Sequence, residues 1–269
     1  MFQEDSVLIS VDDHIGTLTL NRPPSRNALS LNLLESLDHA LGAMESDPTV
    51  RVVVIAGNGP AFSAGHDLAE LHSATPEAAE QIFNTCSTVM MRVSMLTKPV
   101  IAKVAGVATA AGCQLVASCD LAIASTSARF ATPGVNIGLF CSTPAVPLAR
   151  TIAPKHAMRM LLTGEMVSAD EAHRIGLVND VVQPEDLDSA VGELAATIAA
   201  KPSAVIRAGK STLRHQMSRP LDDAYAIASQ AMCEGLNAPA AHEGISAFLE
   251  KREPRWPDHD LTDPDPDLG

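Results

Sequence analysis

The chain has 269 residues, 46% of them hydrophobic and 19% charged, which excludes a disordered chain and fits one large globular domain or a core with a smaller appendage. Lys+Arg 19 against Asp+Glu 32 gives a formal charge of −13, a surface that repels a nucleic-acid backbone, so an anionic ligand must be met by a local cluster of donors. Aromatics at 3% make base-stacking platforms scarce.

In chain order, Val7-Leu8-Ile9 and Ile15–Leu20 predict a hairpin about the turn former Asp12-Asp13. The prolines of Asn21-Arg22-Pro23-Pro24-Ser25 predict a loop, since they bar both helix and ladder. After Ser30, Leu31, Leu33, Leu34, Leu37 and Leu41 recur at helical spacing. Residues 50–56, 99–105 and 121–124 are short, nearly continuous apolar runs, the pattern of strands buried on both faces. Helical patterns at 76–95 and 112–118 fall between them, and this alternation predicts an α/β layered fold.

From Asp186 the pattern is helical over 186–200, 203–218, 221–236 and 239–250, broken at Pro202, Pro220 and Pro239. The expected organisation is a core over 1–185, a helical region over 186–256 and a disordered, acidic, proline-rich tail over 257–269. No internal repeat of fixed period is evident. The five cysteines form no C-x-x-C pair and no zinc-spaced cluster, so they read as thiols of a reducing compartment, with no metal site. No basic segment precedes an apolar one at the N-terminus, and no uncharged apolar stretch reaches the ~20 residues of a membrane helix; the expectation is a cytoplasmic protein without a membrane span.

Two small-residue turns follow buried strands. Gly57-Asn58-Gly59-Pro60-Ala61-Phe62-Ser63-Ala64-Gly65-His66-Asp67 fails the dinucleotide spacing at Phe62, yet its glycines let backbone N–H groups approach a ligand. Gly106-Val107-Ala108-Thr109-Ala110-Ala111-Gly112 enters a helix, whose first N–H groups favour negative charge. Together they could aim two donors at one oxygen, or they could only permit close packing.

Phe62-Ser63-Ala64-Gly65-His66-Asp67-Leu68 resembles the F-x-A-G-x-D-[LI] motif of the crotonase (enoyl-CoA hydratase/isomerase) family. Lys98-Pro99-Val100-Ile101-Ala102-Lys103-Val104-Ala105-Gly106 with Ala111-Gly112-Cys113-Gln114-Leu115 is similar to its K-P-V-I-A-A-V-x-G…G-G-G-C-E-L block. Further matches are Asn21-Arg22-Pro23 with Asn27-Ala28-Leu29, Cys119-Asp120-Leu121, Leu162-Thr163-Gly164, Gly176-Leu177-Val178 and the run from Glu243 to Arg252. They extend in family order from about residue 7 to 252, and segments 63–68 and 131–144 resemble one subgroup within the family.

The resemblance implies a crotonase-like spiral of ββα units, a C-terminal helical trimerisation region and a homotrimer or dimer of trimers. It implies an acyl-CoA thioester as substrate, with no cofactor beyond its CoA moiety. The thioester carbonyl would sit between the backbone N–H groups of His66 and Ala111. Arg26, Ala28, Ala64, His66, Asp67 and Leu68 would line the CoA, and Phe248 and Lys251 would approach its 3′-phosphate end, often from a neighbouring subunit.

The two hydratase glutamates of the family fall on Gln114 and Gly134. Gln can hold a water but cannot take its proton, and Gly can do neither, so hydration by paired carboxylates is disfavoured. Other groups open to a base or nucleophile role are the His66 imidazole, Cys141 and Asp67. The sequence thus leaves three readings: an enzyme of hydratase/isomerase type with a non-standard site, a catalytically weak acyl-CoA binder, and a thioester hydrolase or decarboxylase using the same hole.

Overall fold

The computed structural model describes residues 5–257, so most of the predicted tail lies outside the described residues. Asp13 and His14 both take positive φ, which tight hairpins require, and join β1 (Val7–Asp12) antiparallel to β2 (Ile15–Leu20). The turn is thus one residue later than Asp12-Asp13. Pro23–Ser25 forms a short 3-10 turn rather than an irregular loop, because prolines at its start forfeit only N–H groups that no helix uses. Ser30 Oγ accepts from the Leu33 N–H and starts α1 (Leu31–Ser46), which buries Leu33, Leu34, Leu37, Ala40, Leu41 and Met44.

Three long strands then alternate with three short ones. β3 (Val52–Gly57) is followed by β4 (Ala61–Ser63), and helices α2 (Leu68–Ser73) and α3 (Pro76–Met95) close that unit. β5 (Val100–Val104) and β6 (Val107–Thr109) lead into α4 (Ala111–Ser118). β7 (Leu121–Ser125) and β8 (Arg129–Ala131) lead through a 3-10 turn at Pro133–Ile137 to α5 (Ser142–Thr151) and α6 (Pro154–Thr163). β9 (Val167–Ser168), α7 (Ala169–Arg174) and β10 (Asp180–Val182) complete the layers. The units β3–β4, β5–β6 and β7–β8 each send their first strand to one sheet, in the order β1-β2-β3-β5-β7-β10, and their second to another, β4-β6-β8-β9, while β9 and β10 join the two sheets the other way round. Apart from β1 on β2 and β8 on β9, the pairings are parallel. This staggered ββα winding is the spiral that the resemblance implied.

The period-2 geometry of β3 explains its unbroken apolar run. Val53 and Ile55 face the main core with α1, α3 and α4, while Val52 and Val54 face a second cluster with Ile101, Ile123 and α8 (Leu187–Ala199). After α8 come α9 (Ser203–Gln216), α10 (Leu221–Leu236) and α11 (Pro239–Glu250), which bury very little: Leu213, Leu221, Tyr225, Met232, Phe248 and Leu249 are all exposed. Among the described residues no helix is long and apolar enough to cross a membrane.

One polar knot ties α9 to the core. The Asp120 carboxylate accepts from the Val100 N–H at 2.8 Å, from Lys210 Nζ at 2.5 Å and from the Arg214 guanidinium at 2.5 Å. Removing its charge leaves two half-buried cations facing each other. Asp120→Asn is therefore expected to destabilise the fold by about 3 kcal/mol, read as a lower urea midpoint at unchanged slope.

Candidate functional site

The site begins with a clasp between the loop before α1 and the loop after β4. Asn27 is fully buried in the left-handed region, at φ 53, which Asn tolerates better than most residues. Its Nδ2 donates to the carbonyls of Asn58 and Ala61 at 2.9 and 2.8 Å, and its Oδ1 accepts from the Arg22 N–H at 2.8 Å. Arg22 in turn donates to the Ala28 carbonyl at 2.8 Å and pairs with Asp67 at 3.2 Å. The Ala64 N–H donates to the Arg26 carbonyl. Arg26, Ala28, Ala64, Asp67 and Leu68 thereby come together along one edge. Asp67 caps α2 by accepting from the Ala69 and Glu70 N–H groups, so its carboxylate orders the loop. The side chain of Arg26 is exposed and makes no ion pair among the described residues.

His66 pairs with Leu29 in a parallel bridge: the Leu29 N–H donates to the Gly65 carbonyl at 2.7 Å, and the Asp67 N–H to the Leu29 carbonyl at 3.3 Å. These bonds flank His66 and turn its own N–H to the opposite side. Gly65, at φ +88, lies against the turn that opens α4: a Cβ there would stand 2.9 Å from the Thr109 carbonyl oxygen and 3.2 Å from the Ala111 nitrogen. Ala111 is the first residue of α4, where an N–H has no partner in its own helix. Neither the His66 nor the Ala111 N–H meets an acceptor of this chain among the described residues. Ala110, just before, is held at φ 49 and ψ −118, a conformation usually left to glycine.

Around this pair lie buried polar atoms without hydrogen-bond partners: both ring nitrogens of His66, Gln114 Oε1 and Thr132 Oγ1. Gln114 sits on the first turn of α4, with its N–H donating to the Ala110 carbonyl; Ala110 donates to the carbonyl of Ala131, next to Thr132. Unpaired buried groups are rare, and several at one turn mark a place built to receive a ligand or water. The His66 ring stands edge-on to Phe83 of α3, with centroids 5.1 Å apart. Burial holds its pKa below the ordinary imidazole value, with the Leu29 backbone opposing, which favours the neutral ring.

At Gly134 a side chain is sterically barred. A Cβ would lie 2.0 Å from the Leu139 carbonyl oxygen and 2.8 Å from Cys141 Sγ. Burial pushes the Cys141 thiol up, against the opposing effect of the Gly134 backbone, which disfavours a thiolate nucleophile. Phe248 and Lys251 lie at the end of α11, Lys251 in the left-handed region at φ 56. No hydrogen bond or ion pair among the described residues joins them to the clasp. No group of described residues could hold a metal ion. Sequence reasoning gave no role to Arg22, Asn27 or Thr132; the signal for the first two was their place in the family-like stretches.

The parallel spiral is the fold that the resemblance implied, and the family model "Enoyl-CoA hydratase/isomerase" matches residues 11–259. The chain belongs to that family. It is 47% identical over 245 residues, 91% of this chain and 82% of the relative, to rat "Enoyl-CoA hydratase domain-containing protein 3, mitochondrial". The crystal structure of an enoyl-CoA hydratase from Mycobacterium smegmatis superposes with a TM-score of 0.92 at 49% identity, covering 94% of this chain and 99% of that one. That of human enoyl-CoA hydratase domain-containing protein 3 superposes with a TM-score of 0.90 at 45% identity, covering 93% and 100%. This is the subgroup that segments 63–68 and 131–144 resemble. The word mitochondrial belongs to the rat relative's name.

The contact between Gly65 and the turn at Ala110 can be probed from both sides. Gly65→Ala is expected to destabilise by at least about 2 kcal/mol through clash and strain. Ala110→Gly relieves strain and is expected to stabilise by about 1 kcal/mol, both read by urea unfolding.

Proposed function

We propose that the chain is an acyl-CoA-processing enzyme that holds its thioester carbonyl between the His66 and Ala111 N–H groups and does not work as a two-glutamate hydratase. The observation that carries this reading is the pair of unpaired N–H groups, brought together where Gly65 meets the Ala111 nitrogen. Two such donors in a dry site stabilise charge that develops on the oxygen, and each is worth on the order of 10²–10³ in rate.

Among the unpaired buried groups, only the His66 imidazole titrates near neutral pH. The chemistry that fits is proton transfer next to the thioester. A ring nitrogen takes the α-proton, the C–H pair moves into the enolate, and the oxyanion rests on the two N–H groups. Return of the proton to the γ-carbon shifts the double bond; return to the α-carbon restores the substrate. The Gln114 amide can orient a hydroxyl or water but cannot accept its proton, and no carboxylate fits at Gly134.

For the CoA, the exposed Arg26 and the backbone at Ala28, Ala64, Asp67 and Leu68 supply one edge of a site that an acidic protein must build locally. Lys251 and Phe248 at the end of α11 fit a contact across subunits. The exposed apolar side chains of α9 to α11 support a homotrimer or a dimer of trimers. The substrate's CoA is then the sole cofactor moiety, and the five free cysteines suit a reducing compartment, the cytoplasm on the sequence reading.

Measurements on purified protein test the reading. Crotonyl-CoA hydration is expected only at a trace, and a turnover on the order of hundreds per second would overturn the loss of hydratase chemistry. His66→Ala removes the imidazole but keeps the N–H, so turnover is expected to vanish while acyl-CoA affinity stays within a few-fold, whereas Ala111→Pro is expected to weaken affinity by about 1–3 kcal/mol. Because the His66 pKa is lowered, the acidic limb of the rate is expected below 6.5, where the ring gains its proton. Intact turnover in His66→Ala would make the ring structural; micromolar binding with no turnover of any acyl-CoA by the wild type would establish the binder reading instead.

Light scattering at micromolar concentration is expected to give three or six chains, and the mass of one chain would refute the assembly.

A further inference from the structure

Two cations stand side by side at the end of α11, Lys251 and Arg252, and the structure gives them different work. The Arg252 guanidinium is engaged on every side. It donates to the two oxygens of Glu243 at 2.6 and 3.0 Å, and to Glu250 at 2.7 Å. Glu243 also accepts from the Arg255 N–H at 2.6 Å, and the Trp256 ring lies against α11 at Gly244, where a Cβ would stand 3.3 Å from it. The bonds from Arg252 and from the Arg255 backbone hold the Glu243 carboxyl down at about 2, so the clamp is ionised at neutral pH. The chain leaving α11 is thus folded back and tied to a carboxylate of the helix itself.

Lys251 is the residue around which this fold-back turns. Its φ of 56 and ψ of 44 lie in the left-handed region, and the Arg252 N–H closes over it onto the Ala247 carbonyl at 3.0 Å. Helix ends of this kind favour glycine, and the chain does use glycine at the end of α6, where Gly164 takes φ 62. A lysine in that position carries backbone strain that its surroundings must hold. The side chain of Lys251 is exposed and makes no hydrogen bond or ion pair among the described residues, whereas that of Arg252 is occupied inside the clamp. Exposed ends of a chain lose their order unless they are tied down. Here the tie is present, and it presents one unpaired ammonium.

We propose that Glu243 is a positioning residue for acyl-CoA binding: through Arg252 it fixes the end of α11 so that the Lys251 ammonium meets the 3′-phosphate of CoA. The inference rests on the reading of Lys251 as the contact to that phosphate. An ammonium on a flexible four-carbon stem loses rotamer freedom when it binds, and a backbone already fixed beneath it leaves less to be ordered. Glu243, with both oxygens held by its own chain, acts only through Lys251, so its influence concerns the 3′-phosphate alone.

The affinities of the full chain for CoA and for 3′-dephospho-CoA, measured by calorimetry at low ionic strength, test this. The wild type is expected to prefer CoA by about tenfold or more, and Lys251→Ala to lose most of that preference. Glu243→Gln is expected to weaken CoA binding by about fivefold while 3′-dephospho-CoA binds within about twofold of the wild type, and Arg252→Gln, which opens the clamp from its other side, to do the same. In the double variant Glu243→Gln, Lys251→Ala the affinity for CoA is expected to equal that of Lys251→Ala alone. Full preference for CoA in Lys251→Ala would show that Lys251 does not meet the phosphate, and would overturn that reading and the inference together. With the preference lost in Lys251→Ala, three results would overturn the positioning role and leave the Lys251 reading standing: unchanged preference in Glu243→Gln and Arg252→Gln, a further loss of affinity in the double variant, or equal weakening of both ligands in Glu243→Gln.

Discussion

The arrangement of the candidate site depends on one buried amide. Asn27 reaches the carbonyls of Asn58 and Ala61 and receives the Arg22 N–H, so its own loop and a stretch more than thirty residues away share a single side chain. The Leu29–His66 bridge follows from that clasp, and the direction of the His66 N–H follows from the bridge. An apolar residue at Asn27 would leave the buried Ala61 carbonyl without this donor, at about 1–3 kcal/mol, and would remove two part-buried bonds, to the Asn58 carbonyl and from the Arg22 N–H. A substantial part of a marginal stability would be lost with this one side chain.

The site is itself a net cost to the fold. Ala110 is strained, and the unpaired N–H groups, imidazole, amide and hydroxyl forgo hydrogen bonds that water would give the unfolded chain. The compensation lies in the layers: β3 and β5 are buried on both faces, α8 closes the second cluster, and the Asp120 knot holds α9 against the strand ends. Small residues make the close approach possible. Gly112 would place a Cβ 2.3 Å from the Ser63 carbonyl oxygen, so the turn into α4 can lie on β4 only without a side chain there.

Much of the layering was legible because it rests on local periodicity: the apolar runs became β3, β5 and β7, and Ser30 opened α1 as a cap. The short strands β4, β6, β8 and β9 were not, since two or three residues carry no period. Nor was the repeat, because helices of very different length separate its units. At the site, the residues with motif partners could be placed, but not the reason they meet. The pairing of Arg22 with Asp67 spans 45 positions, and no spacing rule reaches that far. Gly134 could be read as a missing carboxylate, but not as a position closed to side chains, because the Leu139 carbonyl that closes it comes from a loop without pattern.

That closure bears on how the lineage can change. A carboxylate at position 114 is one exchange from glutamine and needs no new room, so it can come and go. At position 134 the order of events matters: the loop carrying Leu139 and Cys141 must first withdraw, and until it does any residue larger than glycine disrupts the turn and is purged. A single exchange therefore does not place carboxylates at both positions 114 and 134. The packing of one loop thus fixes the order in which side chains could enter this turn.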